Sequence, residues 1–241
     1  MADARKNVRR SKFDQNREKY SIIILAAGIG SRLKQNEPKA LIKLNGGETV
    51  LSRQLKILWD IFPTNETILV VGHEADYVMR NTPNNLIKVE NERYEETNIA
   101  RSLSMGLRAA TTDNVVVVYG DLVFNHHLLF SHRFNHQSVV FLDGGVMKDE
   151  EVGCTFNKKM ELENIMYGLP NKWAQIAYFA GHEIELLKRT CWERSKEKYF
   201  GFEVINEIID NGGRFGVVNI EGGKCTDIDV SKDIEIARGI S

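Results

Sequence analysis

Residues 22–44 read IIILAAGIGSRLKQNEPKALIKL, and the fold is decided there. Ile22 to Ala26 form an apolar run of the length expected for a buried strand. The run ends in a turn of small residues, Ala26, Ala27, Gly28, Gly30 and Ser31. Such a turn lets backbone N–H groups approach an anion closely. Arg32 follows at once and Lys39 stands just past Pro38, so two cations flank the turn. A bound triphosphate carries roughly four negative charges, which Mg²⁺, Arg32 and Lys39 would together approximately cancel. The pattern is not a P-loop, because no Gly-Lys-Ser/Thr closes it. It is not the dinucleotide fingerprint, because Leu33 stands where the third glycine belongs. A glycine turn after a first strand with ordinary surface cations is the plainer reading of the same residues.

Working outward, strands and helices alternate. Thr67–Val71, Leu86–Glu90 and Val115–Tyr119 read as strands. Leu51–Ile61, Ala75–Arg80 and Ile99–Ala110 carry helical stripes. This alternation predicts a parallel sheet covered by helices on both faces, with ligands beyond the carboxyl ends of the strands. Gly28, Gly72 and Asp121 all follow strand ends and should share one rim. In the second half, Ser138–Leu142 and Val152–Phe156 read as strands joined by a charged hairpin at 148–151. Residues 157–173 read as a polar connection, followed by a strand Ala174–Phe179 and helices from about Ile184 to Arg194 and from Phe202 to Asp210. Arg214–Asn219 and Lys224–Asp229 read as closing strands. Ser231 reads as the cap of a last helix ending at Arg238.

The formal net charge of −1 over 241 residues offers no electrostatic case for nucleic acid or an anionic membrane. No apolar run reaches membrane-span length. Residues 1–19 form a basic arm without a signal-peptide core, expected to be flexible. Residues 20–241 are expected to form one domain, with a nucleotide half at about 20–143 and an acceptor half at about 144–241. Cys154, Cys191 and Cys225 match no zinc or redox spacing and suit a reducing cytoplasm.

Asp121, directly after the strand ending at Tyr119, suits Mg²⁺, a hard cation, or alternatively caps the next element. Asp227 and Asp229, at i and i+2 on a strand, would project together. Asp233 suits the first turn of the closing helix. In Glu90–Ser102, Asn98 and Ser102 each offer donor and acceptor to a pyrimidine edge, or Asn98 merely caps a helix and Ser102 faces solvent. His126, His127, His132 and His136 read better as an exposed polar face than as a metal site. Trp173, Tyr178, Trp192, Tyr199 and Phe200 suit a core or a cage for a quaternary ammonium. Glu203 is placed to face an acceptor.

The string Leu25 to Arg32, with Pro38 and Lys39, resembles the signature of nucleotidyltransferases that activate sugar phosphates and related phosphate esters. The likeness covers nearly the whole chain after the basic arm. Within that superfamily, Tyr94, Asn98 and Ser102 resemble the base-recognition segment of choline-phosphate and phosphonate cytidylyltransferases. The resemblance implies a Rossmann-like, glycosyltransferase-A-type α/β fold, its sheet mixed and mainly parallel. It implies transfer of a nucleotidyl group, preferably from CTP, to a small phosphate or phosphonate acceptor with release of pyrophosphate. Such products feed cell-surface polysaccharide or lipid precursor synthesis. Arg32 would face the leaving pyrophosphate and Lys39 the α-phosphate. Asp121 and Asp229 would hold Mg²⁺, with Asp227 beside them. Leu25, Ala26, Ala27, Gly28, Gly30, Ser31, Gly72, Asn98 and Ser102 would cradle the nucleotide. Synthetases for sialic-type acids lack the Pro-Lys pair, and molybdenum-cofactor guanylyltransferases have a shorter Arg-to-Lys link. With Asp229 so near Ser241, a C-terminal β-helix is not expected. A sugar-1-phosphate nucleotidyltransferase using UTP, CTP or dTTP stays open, as does an inactive nucleotide-binding protein. A homodimer is compatible with the sequence but not required by it.

Overall fold

The computed structural model describes residues 19–30, 33, 37–62, 66–130, 136–145, 147 and 151–240. The basic arm therefore lies almost wholly outside the described residues. So do Ser31, Arg32, His132 and the 148–150 part of the expected hairpin.

The apolar run at the start becomes β1 (Ser21–Ala26), the middle of a parallel set with β2 (Glu66–Val71), β3 (Ile87–Glu90) and β4 (Val115–Tyr119). Alternation along β1 explains both helical layers. Ile22 and Ile24 point to one face, under α1 (Val50–Ile61) and α2 (Ala75–Arg80), in a cluster that Leu128 and Leu129 of the short α4 (His127–Phe130) join. Ile23 and Leu25 point to the other, under α3 (Ile99–Ala109), α5 (Gly181–Trp192) and α6 (Gly201–Asp210). Thr49 caps α1 by accepting the Ser52 N–H at 3.1 Å.

The order across the main sheet is β10-β6-β9-β4-β1-β2-β3. β9 (Asn171–Phe179) runs antiparallel between β4 and β6 (Val139–Leu142), so the second half of the chain extends the sheet begun by the first. β10 (Gly216–Val218) pairs in parallel with β6 at the edge.

Three expectations need correction. Residues 157–173 are not a plain connection. They contain β8 (Leu162–Tyr167) and the first residues of β9. Only two of six residues in β8 are buried, so its apolar alternation is weak. The expected pairing of the 138–142 and 152–156 strands is absent: β7 (Val152–Phe156) pairs with β8 and β9 instead. Lys224–Asp229 contributes only a short strand, so the strand argument covers Asp227 but not Asp229. That strand, β11 (Cys225–Asp227), pairs antiparallel with β5 (Leu122–Phe124), which has no counterpart among the expected strands.

A third apolar cluster lies outside the two helical layers. Leu33, Ile42, Leu44 and Val50 from the N-terminal region pack with Val123, Ile228, Ile234, Ala237 and Ile240. It joins the segment carrying Lys39 to β11 and α7 (Ser231–Arg238). Among the described residues no helix is long and apolar enough to cross a membrane. The three cysteines are buried and unpaired.

Candidate active site

Three strand ends build the rim. The Gly120 N–H donates to the Leu25 carbonyl at 2.8 Å, and the His73 N–H donates to the Ala27 carbonyl at 3.1 Å. The glycine turn is thus held from both sides, by the residues that follow β4 and β2. Contact there is too close for side chains. A Cβ on Gly72 would stand 2.7 Å from the Ala27 carbonyl oxygen and 2.7 Å from Tyr94 Cβ. A Cβ on Gly120 would stand 2.7 Å from Ala26 Cβ. Gly28 has nothing within 4 Å of its would-be Cβ, so the turn is open on that side. Gly30 has φ +65°, and a side chain there would press on Lys39 Cγ at 3.1 Å.

Lys39 opens a single helical turn, Lys39–Leu41, with Ala40 and Leu41 buried behind it. Its Nζ donates to Asp121 Oδ2 at 2.9 Å and to Asp229 Oδ1 at 2.6 Å. Burial works against the ammonium, but Asp121 and Asp229 together outweigh it and hold the Lys39 pKa above its ordinary value. The two acidic segments meet through backbone. The Ile228 N–H donates to the Asp121 carbonyl at 3.1 Å, and Asp227 is in register with Leu122.

Asp229 stands one turn beyond β11. Asp233 fixes that turn by accepting the N–H of Asp229 at 3.0 Å and of Val230 at 2.8 Å. Asp233 is therefore the first-turn acid expected of it. Ser231, expected as the cap, is already inside α7, which Val230 precedes. β11 is anchored from behind as well, because Asp143 Oδ1 accepts the Cys225 N–H at 3.1 Å. Lys172 lies between Asp143 and Glu151, at 3.0 and 2.8 Å.

Asp227 completes the group. Burial raises its pKa, and the charges of Asp121 and Asp229 raise it further. Its Oδ2 accepts from Gln175 Nε2 at 3.3 Å. Gln175 has φ +56°, an unusual backbone conformation for a residue with a side chain. It falls where the β6–β9 register shifts, between the partners of Val140 and Leu142. Such irregularities re-aim side chains near sites. No sequence signal marks this residue.

The donor set is oxygen-only and anionic, the chemistry that suits Mg²⁺. Among the described residues no three His, Cys, Asp or Glu side chains converge tightly enough to enclose a metal by themselves. This is consistent with Mg²⁺ being held by one or two carboxylates together with substrate phosphates. Asp121 and Asp229 fit that role.

The Glu90–Ser102 stretch packs against the turn. Asn91 is buried, and its amide donates to Thr97 Oγ1 at 3.2 Å and Ser102 Oγ at 3.1 Å. Ser102 is itself buried, so it organises Asn91 rather than facing solvent. Asn98 caps α3 through its side-chain oxygen, which accepts the Ile99 N–H at 2.9 Å. Tyr94 lies beside Gly72 and edge-on to His73, whose N–H holds the glycine turn.

The remaining suggestions scatter. Tyr178 and Trp173 are core residues, Trp192 lies beneath Arg108, and Phe200 stacks on Phe202, so these aromatics form no common cage. Glu203 accepts the Phe200 N–H at 2.7 Å as a cap of α6. His126 pairs with Asp60 at 2.7 Å, and His136 has φ +56°, outside any helix.

A sheet of this topology, with a glycine turn, a lysine and three carboxylates at its carboxyl rim, defines the nucleotidyltransferase class of α/β enzymes. Within that class the chain belongs to the MobA-like NTP transferase domain family, whose model matches residues 22–144. The match is to the domain family and selects no branch within it. Among curated relatives, the bifunctional protein GlmU of Solibacter usitatus is 30% identical over 102 residues, 42% of this chain and 22% of that protein. GlmU of Alkaliphilus metalliredigens is 35% identical over 103 residues, 43% and 22% respectively. The chain spans about a fifth of the length of these relatives.

Solved structures share the fold over most of the chain. The CTP:phosphocholine cytidylyltransferase LicC from Streptococcus pneumoniae has a TM-score of 0.71 at 21% identity, covering 91% of this chain and 98% of that one. The inositol-1-phosphate CTP transferase from T. maritima has a TM-score of 0.71 at 19% identity, covering 92% and 97%. A nucleoside-diphosphate-sugar pyrophosphorylase from Vibrio cholerae has a TM-score of 0.68 at 13% identity, covering 90% and 99%.

Proposed function

We propose that this nucleotidyltransferase is a Mg²⁺-dependent cytidylyltransferase that moves CMP from CTP to a small phosphate or phosphonate acceptor. An acceptor oxygen attacks the α-phosphorus in line, and the bond to pyrophosphate breaks. The observation that carries this reading is the placement of Lys39 between Asp121 and Asp229 beside the open glycine turn. Lys39 stays cationic across the neutral range, which suits it to meet the α-phosphate. The turn from Leu25 to Gly30 would offer backbone N–H groups to the phosphates, and Arg32, outside the described residues with Ser31, keeps the role toward the leaving pyrophosphate that the resemblance implies. Mg²⁺ held by Asp121 and Asp229, with Asp227 alongside, would neutralise charge on the triphosphate. Catalysis by these residues is positioning and charge stabilisation, without a covalent enzyme intermediate.

The preference for CTP is supported by Tyr94 beside Gly72, in a stretch that resembles the base-recognition segment of cytidylyltransferases, and by two similarly folded proteins named for CTP. A sugar-1-phosphate acceptor is the second reading, favoured by the similarly folded nucleoside-diphosphate-sugar pyrophosphorylase. A coupled pyrophosphate assay separates the readings, with CTP, UTP, ATP, GTP and dTTP each offered with phosphocholine, simple phosphonates and hexose 1-phosphates. CTP with a phosphate or phosphonate ester should give the highest turnover. Equal or greater turnover with UTP or dTTP and a hexose 1-phosphate would replace the cytidylyl reading. No pyrophosphate from any pair would favour an inactive nucleotide-binding protein.

A further inference from the structure

On α3, the residues Arg101, Ser104 and Arg108 recur at helical spacing on the face beside Ala100, Leu103 and Leu107, which pack onto the sheet. With Arg93, Trp192 and Arg194 they line a separate cavity of about 170 Å³. Two glutamates also reach it, each already holding a cationic partner that a further carboxylate shares, Glu96 on Arg93 at 3.2 Å and Glu207 on Lys196 at 2.8 Å. Glu197 takes a two-pronged contact from Arg93 at 3.0 and 2.9 Å, and Glu193 pairs with Lys196 at 3.0 Å. Arg101, Arg108 and Arg194 have no carboxylate partner among the described residues. The Arg101 Nε is buried with no hydrogen-bond partner. The Arg108 guanidinium lies over the Trp192 ring at 5.5 Å, which fixes its plane. Glu197 feels these cations: hydrogen bonding to Arg93 holds its carboxyl below the ordinary range, burial opposes this, and Arg194 and Arg101 add to the lowering.

Three guanidinium groups without a direct carboxylate partner among the described residues, around a small cavity and one with a buried N–H lacking an acceptor, suit an anion with several oxygens. We propose that this cavity is a second anion site, separate from the glycine-turn rim, that takes the phosphate group of a small phosphate monoester. Guanidinium forks match phosphate oxygens in pairs, and Trp192 supplies a flat wall for whatever the phosphate carries. The site does not depend on the transfer reaction. It shares a wall with the nucleotide side, because Arg93 belongs to the loop that brings Tyr94 to Gly72 and Glu197 accepts the Asn98 N–H at 3.0 Å.

Calorimetric titration with inorganic phosphate tests it, performed on the full chain carrying Lys39→Ala to weaken binding at the rim. That protein should still bind phosphate saturably. Adding Arg108→Gln with Arg194→Gln, two exposed side chains whose loss spares the core, should weaken binding at least ~10-fold. Adding Arg101→Gln should weaken it further, with thermal melts confirming folding. If Arg101→Gln fails to fold, the exposed pair decides alone. Absence of saturable phosphate binding in the Lys39→Ala protein, or unchanged affinity on removing Arg108 and Arg194, overturns the proposal.

Discussion

Lys39 and Asp229 are 190 positions apart in the chain, yet their side chains meet at 2.6 Å. The contact closes the rim. It brings the segment after the glycine turn against the segment after the last strand, with Asp121 on the other side of the same ammonium. The apolar cluster of Leu33, Ile42 and Leu44 with Ile228, Ile234 and Ile240 enforces it from below.

Replacing Lys39 by Ala should therefore leave the fold intact and lower turnover at least ~100-fold, a loss of about 3 kcal/mol in transition-state stabilisation. Steady-state pyrophosphate release, with circular dichroism as the check on folding, measures it. Near-normal turnover would remove Lys39 from the mechanism.

Gly72→Ala places a methyl group 2.7 Å from both the Ala27 oxygen and Tyr94 Cβ. The turn and the Tyr94 loop must then separate. Small displacements of positioning groups cost orders of magnitude in rate, so the nucleotide KM should rise at least ~10-fold. The acceptor KM should stay nearly constant. An equal rise in both would point to general loosening of the rim.

Ile228→Ala opens a cavity between the two carboxylates that flank it. Ile228 is fully buried, so the loss of stability should be about 2–4 kcal/mol in urea melts. Activity per folded molecule should also fall, because Asp227 and Asp229 lose their common anchor. Unchanged specific activity would show that the backbone bond from Ile228 to Asp121 suffices.

Glu66 gives a pH signature unrelated to catalysis. It accepts hydrogen bonds from Ser21 Oγ at 2.6 Å, the Thr111 N–H at 2.6 Å and Thr111 Oγ1 at 2.9 Å. Burial opposes its charge, but these bonds prevail and hold its pKa below the ordinary 4.5. The unfolded chain therefore binds the proton more readily. The stabilisation is complete above pH 4.5 and is lost as pH falls through the lower folded value. Glu66→Ala should cost about 1 kcal/mol at neutral pH. Its stability curve should converge on that of the parent chain in acid. Parallel curves down to pH 3 would contradict this assignment.

Much of the stretch 20–143 was legible because its signals are local. β1 and β4 are unbroken apolar runs, and α1 and α3 carry 3.6-residue stripes that survive without knowledge of neighbours. The stretch 144–241 was harder to read. β8 is mostly exposed, and β9 bends at Gln175, so the two-residue period fades there. For the site, the small turn, Lys39 and the acids at 121, 227 and 229 were visible as residue types at strand ends. Gln175 was not, because nothing in its type announces a positive φ. The roles of Ser102 and Asn98 depended on burial and on partners.

By itself, the sequence determined the α/β class, the parallel strands around β1, the turn that leaves room for phosphate, and the residues able to serve it. Those properties follow from side-chain size, periodicity and charge over short spans. Only the tertiary structure decided that Lys39 lies between Asp121 and Asp229, that Asp233 rather than Ser231 fixes the last turn, and that four arginines line one cavity. These arrangements join residues far apart in the chain. They exist because apolar burial brings the segments together, which no local pattern records.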